Sequence, residues 1–270
     1  GPLTANFSIN ASRNSLESRN GDLSGNLVVT DRASGRIDGQ LSLNVPLSRR
    51  GKDGAGPLGD LALNLVAGGQ SLSGGSLQKR FGAGLTWTPH PVLQLRGTLE
   101  DVEAAPSPEQ LDGPVVTTIN RIYDYARQEA VDAIWILGGN PNLGRGRRQS
   151  RALTAMARPL ADQTLTLNFG YSEQVAKGGV APSPELTPAI EAAFPERGTR
   201  DAGGHLVSVD ARAINLARDT SAELTSGIAL LLPRRGKATP AGASADPMRW
   251  SISLNYRRRL KSELLTRAGI

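Results

Sequence analysis

Side chains able to do chemistry are few and scattered. Cysteine is absent, which removes disulfides, thiolate zinc sites and a cysteine nucleophile together. The only histidines are His90 and His205. His90 stands between Pro89 and Pro91 and reads as a turn residue, and His205 reads as a loop residue. Neither has a second histidine at ligand spacing, so no metal site is expected. Glu100, Asp101 and Glu103 form an acidic cluster of the kind used in acid–base chemistry or cation capture. No further acidic group pairs with them at a defined spacing, and the cluster reads as a solvated strand end. Arg145, Arg147 and Arg148, with Arg257, Arg258 and Arg259, invite a phosphate or nucleic-acid reading. Their strand context argues against it, so no nucleic-acid partner is expected. Lys52 and Lys237 each follow a glycine but lack the glycine five residues earlier that a phosphate-binding loop needs. Asn6-Phe7-Ser8 and Asn10-Ala11-Ser12 match the glycosylation pattern but fall inside a strand. A nucleophile, a base and an orienting group cannot be assembled from these residues, so no catalytic residue, no enzyme activity and no cofactor is expected.

The elements that would carry such residues repeat with period two. Leu165, Leu167, Phe169 and Tyr171 alternate with Thr166, Asn168, Gly170 and Ser172, the pattern of a half-buried β-strand. The same alternation runs through Phe7 and Ile9; Leu23, Leu27 and Val29; Ile37, Leu41, Leu43 and Val45; and Leu61, Leu63 and Leu65. It returns in Phe81, Leu85 and Trp87, in Leu93, Leu95 and Leu99, and most clearly in Trp250, Ile252, Leu254 and Tyr256. Asn20-Gly21, Ser34-Gly35, Gly74-Gly75 and Pro89-His90-Pro91 read as the intervening turns. An antiparallel meander of about ten strands of about ten residues each follows, a length at which a tilted strand crosses a bilayer. With no amphipathic helix of ordinary length between strands, parallel α/β architecture is excluded.

Two stretches interrupt the rhythm. Residues 103–143 carry Pro106, Pro108 and Pro114, with a hairpin around 124–129. Residues 177–204 carry Pro182, Pro184, Pro188 and Pro195. Pro188 suits the first turn of a short helix that Pro195 stops, and a small strand is expected over 205–212. Loops of this length are functional or disordered. Trypsin-type cleavage is expected at Lys177, Arg197 or Arg200. Residues 233–247, rich in Gly, Ala and Pro, read as a flexible turn.

Apolar runs such as 133–137 and 228–232 are far below the roughly 20 residues of a membrane helix. The first residues do not resemble a signal peptide, so either an export signal was removed or the chain is an internal piece. The polar strand faces hold Ser, Thr, Asn, Gln, Arg and Gly, which suits a water-filled or plugged lumen, though a soluble sandwich would accept the same face outside. Trp87, Tyr171, Trp250 and Tyr256 are read near strand ends, as in a thin interfacial girdle, since aromatic residues make up only 4% of the chain.

The run Gly138-Gly139-Asn140-Pro141-Asn142-Leu143, after a long loop and before a strand expected over 148–158, resembles the motif opening a descending barrel strand in TonB-dependent outer-membrane receptors. Leu93-Gln94-Leu95-Arg96-Gly97-Thr98-Leu99 followed by Ala105-Pro106-Ser107 resembles their ascending strand, with Asp101-Val102-Glu103-Ala104 in place of the family's aromatic and arginine. Ala192-Ala193-Phe194-Pro195-Glu196-Arg197 and the nine residues from Val209 to Ala217 resemble an extracellular loop and the long strand after it. The resemblance spans roughly residues 77–260. It implies an all-β antiparallel meander forming part of a transmembrane β-barrel, with residues 1–270 a partial barrel domain lacking the plug and closing strands. It also implies an outer-membrane location, lipid contact, and TonB as partner through a plug outside this chain. The ligand would be scarce and small, a siderophore, cobalamin or a glycan, held by the loops 103–143 and 177–204. For residues 138–143 a structural role is expected, because glycine permits positive φ and Pro141 fixes the chain before the strand. A soluble or surface-exposed all-β binding module, adhesin-like, is the alternative.

Overall fold

A computed structural model describes residues 3–21, 27–50, 58–72, 77–160, 162, 164–233 and 249–267. The elements, in chain order, begin with five strands: β1 (Thr4–Gly21), β2 (Leu27–Ser48), β3 (Asp60–Leu72), β4 (Gln78–His90) and β5 (Leu93–Ala104). A short helix α1 (Pro108–Asp112) and the hairpin β6 (Val116–Asp124) and β7 (Glu129–Leu137) follow, then β8 (Gly146–Ala157) and β9 (Leu165–Lys177). After β10 (Val180–Ala181) and α2 (Pro188–Ala193) come β11 (Gly198–Arg200), β12 (Leu206–Asp210) and β13 (Ile214–Asn215). Two long strands, β14 (Arg218–Pro233) and β15 (Arg249–Leu265), finish the chain.

Two compact units emerge. The first holds residues 1–102, 149–174 and 221–261. Its sheet runs β1-β2-β3-β4-β5-β8-β9-β14-β15, nine strands each beside its neighbour in order. The strands β1 to β5 pair antiparallel, and their register keeps every apolar set on one face: Phe7 opposes Leu41, Leu43 opposes Leu65, Leu63 opposes Leu85, and Trp87 opposes Leu95. Asn64 falls on the other face, opposite Asn44 and Gly84. Side-chain distances carry the same division to the far strands. A Cβ on Gly97 would lie 3.5 Å from Leu153 on the apolar face, whereas one on Gly170 would meet Thr225 and Thr154 on the polar face. A Cβ on Gly227 would lie 2.8 Å from Asn255 and 3.9 Å from Asn168, and Arg257 pairs with Glu223 at 3.0 Å. Period-two alternation thus survives as two continuous faces, since a slip of one residue would exchange them.

Several expectations are corrected. The segments around Leu27 and Ile37 are one strand of 22 residues, with Gly35 extended opposite Arg13 rather than turning. β1 offers a partner to each residue there, and an unbroken ladder outweighs the turn preference of Ser-Gly. The strands of the main sheet run from 12 to 22 residues rather than about ten. Tyr171 and Tyr256 sit well inside β9 and β15 rather than at strand ends. The expected long strand over 209–217 is instead two short strands, and the main sheet resumes only at Arg218. Gly74-Gly75, Lys52, Lys237 and the turn over 234–247 lie outside the described residues.

The second unit holds residues 103–148, 175–220 and 262–270. Its four-stranded sheet has the order β11-β12-β7-β6, with β12 and β7 parallel and the other pairs antiparallel. Ser107 and Gln110 close a capping box on α1. Thr187 caps α2 and Pro188 occupies its first turn. One face of the sheet contributes Ala133 and Val209 to a core with Leu186 and Leu206, against which Ile122, Trp135 and Ile190 rest. A neighbouring cluster joins Ala193, Phe194 and Ile214. Among the described residues, the buried apolar side chains belong to this unit, Ala222 excepted.

Candidate functional site

The two insertions expected to carry function, residues 103–143 and 177–204, both fall in the second unit, and ion pairs organise it. Arg200 at the end of β11 aims its fork at the side chain of Asp124, donating at 2.8 and 2.9 Å, while its Nε and Nη2 reach Glu191 on α2 at 2.8 and 3.0 Å. Its Nη1 also donates to the carbonyl of Gly204 at 2.9 Å. The Asp124 side chain has 0% exposure, so burial is offset by paired charge and by the amide of Ala126. The guanidinium of Arg200 holds the Asp124 carboxyl below its usual range, and both carboxylates raise Arg200. One arginine therefore ties the hairpin end, α2 and the β11–β12 turn together.

A second knot centres on Asp210. Arg212 donates to it through Nε and Nη2 at 2.9 and 2.8 Å. Arg197, buried at 6% exposure, donates from Nε to the Asp210 carbonyl at 2.7 Å and from Nη2 to the Arg212 carbonyl. Arg212 lowers the Asp210 carboxyl, and burial lowers Arg197 from its ordinary value. Arg267 stands 5.2 Å over the Phe194 ring and pairs with Glu196 at 3.2 Å.

The residues Gly138, Gly139, Asn140, Pro141, Asn142 and Leu143 adjoin the second knot, Arg212 donating from Nη1 to the Gly139 carbonyl at 3.4 Å. Gly138 has φ +117°, and a Cβ there would lie 2.2 Å from the Pro114 carbonyl oxygen. A Cβ on Gly139 would lie 2.3 Å from the Gly113 nitrogen. The buried Asn140 donates from Nδ2 to the Ala213 carbonyl at 2.8 Å and accepts at Oδ1 from the Asn142 amide at 3.0 Å. The Leu143 amide returns to the Asn140 carbonyl at 3.2 Å. Just beyond, Asn215 accepts from the Gly144 amide at 2.7 Å and donates to the Gly144 and Gly178 carbonyls. Asparagine amides here do the work of backbone partners for irregular chain.

The other flagged residues are dispersed. Glu100 pairs with Arg80 at 2.5 Å, and Asp101 accepts from Gln149 at 3.0 Å. His205 faces Asp201 at 3.2 Å, and the Val92 amide lies 3.5 Å from the His90 ring nitrogen. No group of three or more potential ligands for a metal ion is present among the described residues. Sequence reasoning gave no role to Asp124 or Asn215, whose partners are distant in sequence, nor to Asp210 and Arg212, which pair with each other. Only the Asp210-x-Arg212 spacing hinted at a pair. Held by these contacts, the outer face of the β6–β7 hairpin exposes Ile119, Ile134 and Tyr123, with Tyr123 and Tyr125 edge to face at 5.1 Å between centroids.

No protein-family description and no curated protein matches the sequence. Among solved structures, the siderophore receptor PirA from Pseudomonas aeruginosa is similar over 95% of this chain and 40% of its own, with TM-score 0.55 and 12% identity. The siderophore receptor PirA from Acinetobacter baumannii is similar over 97% of this chain and 42% of its own, with TM-score 0.50 and 11% identity. The chain spans about two fifths of the length of these receptors. The likeness carries the fold: the chain is all-β, and its nine-stranded antiparallel meander matches part of the siderophore receptors PirA.

Proposed function

We propose that this chain is a section of the barrel wall of a TonB-dependent outer-membrane receptor, non-enzymatic, which captures a scarce ligand at its loops and admits it. One observation carries the reading. The main sheet leaves its apolar face bare: Ile252 is 60% exposed, Leu254 68% and Phe7 69%, with Phe81, Leu99 and Leu153 on the same side of their strands. An uncovered apolar face of this extent suits lipid, whereas a soluble sandwich buries such a face against a second sheet. Asn64, Thr166 and Asn168 would then face a lumen and hydrogen-bond a plug supplied from outside this chain, through which TonB would act.

In a meander the connections after β1, β3, β5 and β9 leave one end of the sheet, and both long insertions are among them. That end is assigned to the cell exterior. Ile119, Arg121, Tyr123 and Tyr125 are the proposed ligand contacts, and residues 138–143 a structural fastening for the loop. A siderophore is the favoured ligand because the similar receptors are siderophore receptors; cobalamin and glycans suit the same scaffold. The test is fractionation of cells expressing the full-length protein: recovery in the membrane pellet, released only by detergent, is expected. Recovery in the soluble fraction would favour the adhesin-like module instead. Deleting residues 182–200 should then abolish ligand uptake while the barrel still assembles.

A further inference from the structure

The four-stranded sheet of the second unit has two unlike edges. β11 is three residues long, and its pairing with β12 is broken by a register shift between Thr199 and Arg200; a short, kinked edge of this kind keeps other strands away. β6, at the opposite edge, has nine residues, pairs with β7 without a shift, and has no further strand beside it among the described residues. It contains no proline, glycine or lysine, and its β-branched residues Val116, Thr117, Thr118 and Ile119 are exposed. Such an edge is a template for pairing. One hydrogen bond shows which of its groups are open. The Ala211 amide donates to the Ile136 carbonyl at 2.9 Å, so the N–H and C=O of Ile136, which leave a strand by the same side, point to β12 and away from β6. Ile136 stands opposite Thr117. Thr117, Ile119, Arg121 and Tyr123 therefore turn their main-chain groups outward, whereas Thr118, Asn120 and Ile122 turn theirs to β7.

On the reading that this chain is a section of a longer receptor, we infer that the β6 edge is the docking site for one extended strand from a loop of the same receptor outside residues 1–270. Continuity with the sheet as built favours this occupant. β7 and β12, separated in the chain by the whole of β8 and β9, already pair in parallel, so this sheet grows by adding strands from separate connections. Length favours it too. The similar receptors run to more than twice the length of this chain, and a loop tethered to the same barrel meets the edge at a far higher effective concentration than a second copy does. The docked strand would set alternate side chains beside Ile119, Arg121 and Tyr123, completing the face proposed to contact ligand.

The experiment is residue-resolved amide hydrogen exchange of the full-length protein in mild detergent. The amides of Thr117, Ile119, Arg121 and Tyr123 are expected to exchange as slowly as those of Thr118, Asn120 and Ile122, at least about tenfold more slowly than amides of an open edge. Thr117→Pro removes one outward donor and spares the ladder to β7. It should return Ile119 and Arg121 to fast exchange, while protection kept at Asn120 and Ile122 shows that the sheet is still folded. Fast exchange of the outward set in the parent, or outward protection unchanged in Thr117→Pro, would overturn the docking while leaving the membrane reading intact. Protection that vanishes on dilution, together with a dimer mass in native mass spectrometry, would assign the edge to a second copy and overturn it equally. A protein recovered without detergent would instead overturn the receptor reading beneath it.

Discussion

Asp124 shows how much of the loop unit hangs on single side chains. Asp124→Asn keeps the shape but leaves the Arg200 fork facing a neutral amide in a buried place. The expected loss is about 3 kcal/mol, the lower end for breaking a buried pair, because Glu191 still holds Arg200. Hydrogen exchange of the amides in β11 and β12 would measure it, and unchanged protection would refute the assignment. The pH response follows from direction. Asp124 and Asp210 are both lowered in the folded state, so their contribution is complete above the unfolded carboxylate value near ~3.9 and is lost as pH falls through the folded values. Protection of the second unit should stay level between about pH 7 and 5 and drop only below about 4. Gly138→Ala tests the backbone: with φ +117° and the Pro114 carbonyl in the way, it should cost about 1–3 kcal/mol, read by faster proteolysis of residues 138–143.

Strands carry a different kind of prediction, because their effect depends on which face a residue occupies. Leu167 lies on the apolar side of β9 and Thr166 on the other. Leu167→Arg should destabilise the membrane-inserted protein by about 2–4 kcal/mol and Thr166→Arg by much less, as urea unfolding in lipid vesicles would report. Equal effects would mean that neither face meets lipid. The insertions refine the protease expectation as well. Arg197 is buried and Arg200 is tied to two carboxylates, so neither is open to trypsin while the unit is folded. Lys177 is exposed at the end of β9. Trypsin added to intact cells should therefore cut first at Lys177, with cuts at Arg197 and Arg200 appearing in the Asp124→Asn protein. Cleavage only after the outer membrane is permeabilised would invert the proposed topology.

At the scale of the molecule the sheet ends in two strands, β1 and β15, each with one neighbour. Unpaired backbone edges are not tolerated in lipid. Residues 1–270 expressed by themselves should aggregate or refold poorly, whereas a heat-modifiable monomer in detergent would show that the edges find partners within the chain. The β1–β2 hairpin pairs over 18 residues, more than the 9–11 a tilted crossing uses, and its polar far half, around Arg13 and Arg36, belongs beyond the apolar band.

The all-β class, the meander and the division of each strand into two faces were legible from residues such as Leu165 to Tyr171, because period-two alternation is local and a strand displays it whatever its neighbours. The 124–129 hairpin and the helix between Pro188 and Pro195 were legible for the same reason: turn and cap chemistry acts over a few residues. What only the tertiary structure decided was the continuity of β2 through Ser34-Gly35, the breaking of 209–217 into short strands, and the partnership of Arg200 with Asp124. Each depends on groups far apart in sequence, 76 residues in the last case. Only folding brings such groups within hydrogen-bond distance, and a partner strand or an opposite charge then overrides what the local sequence prefers.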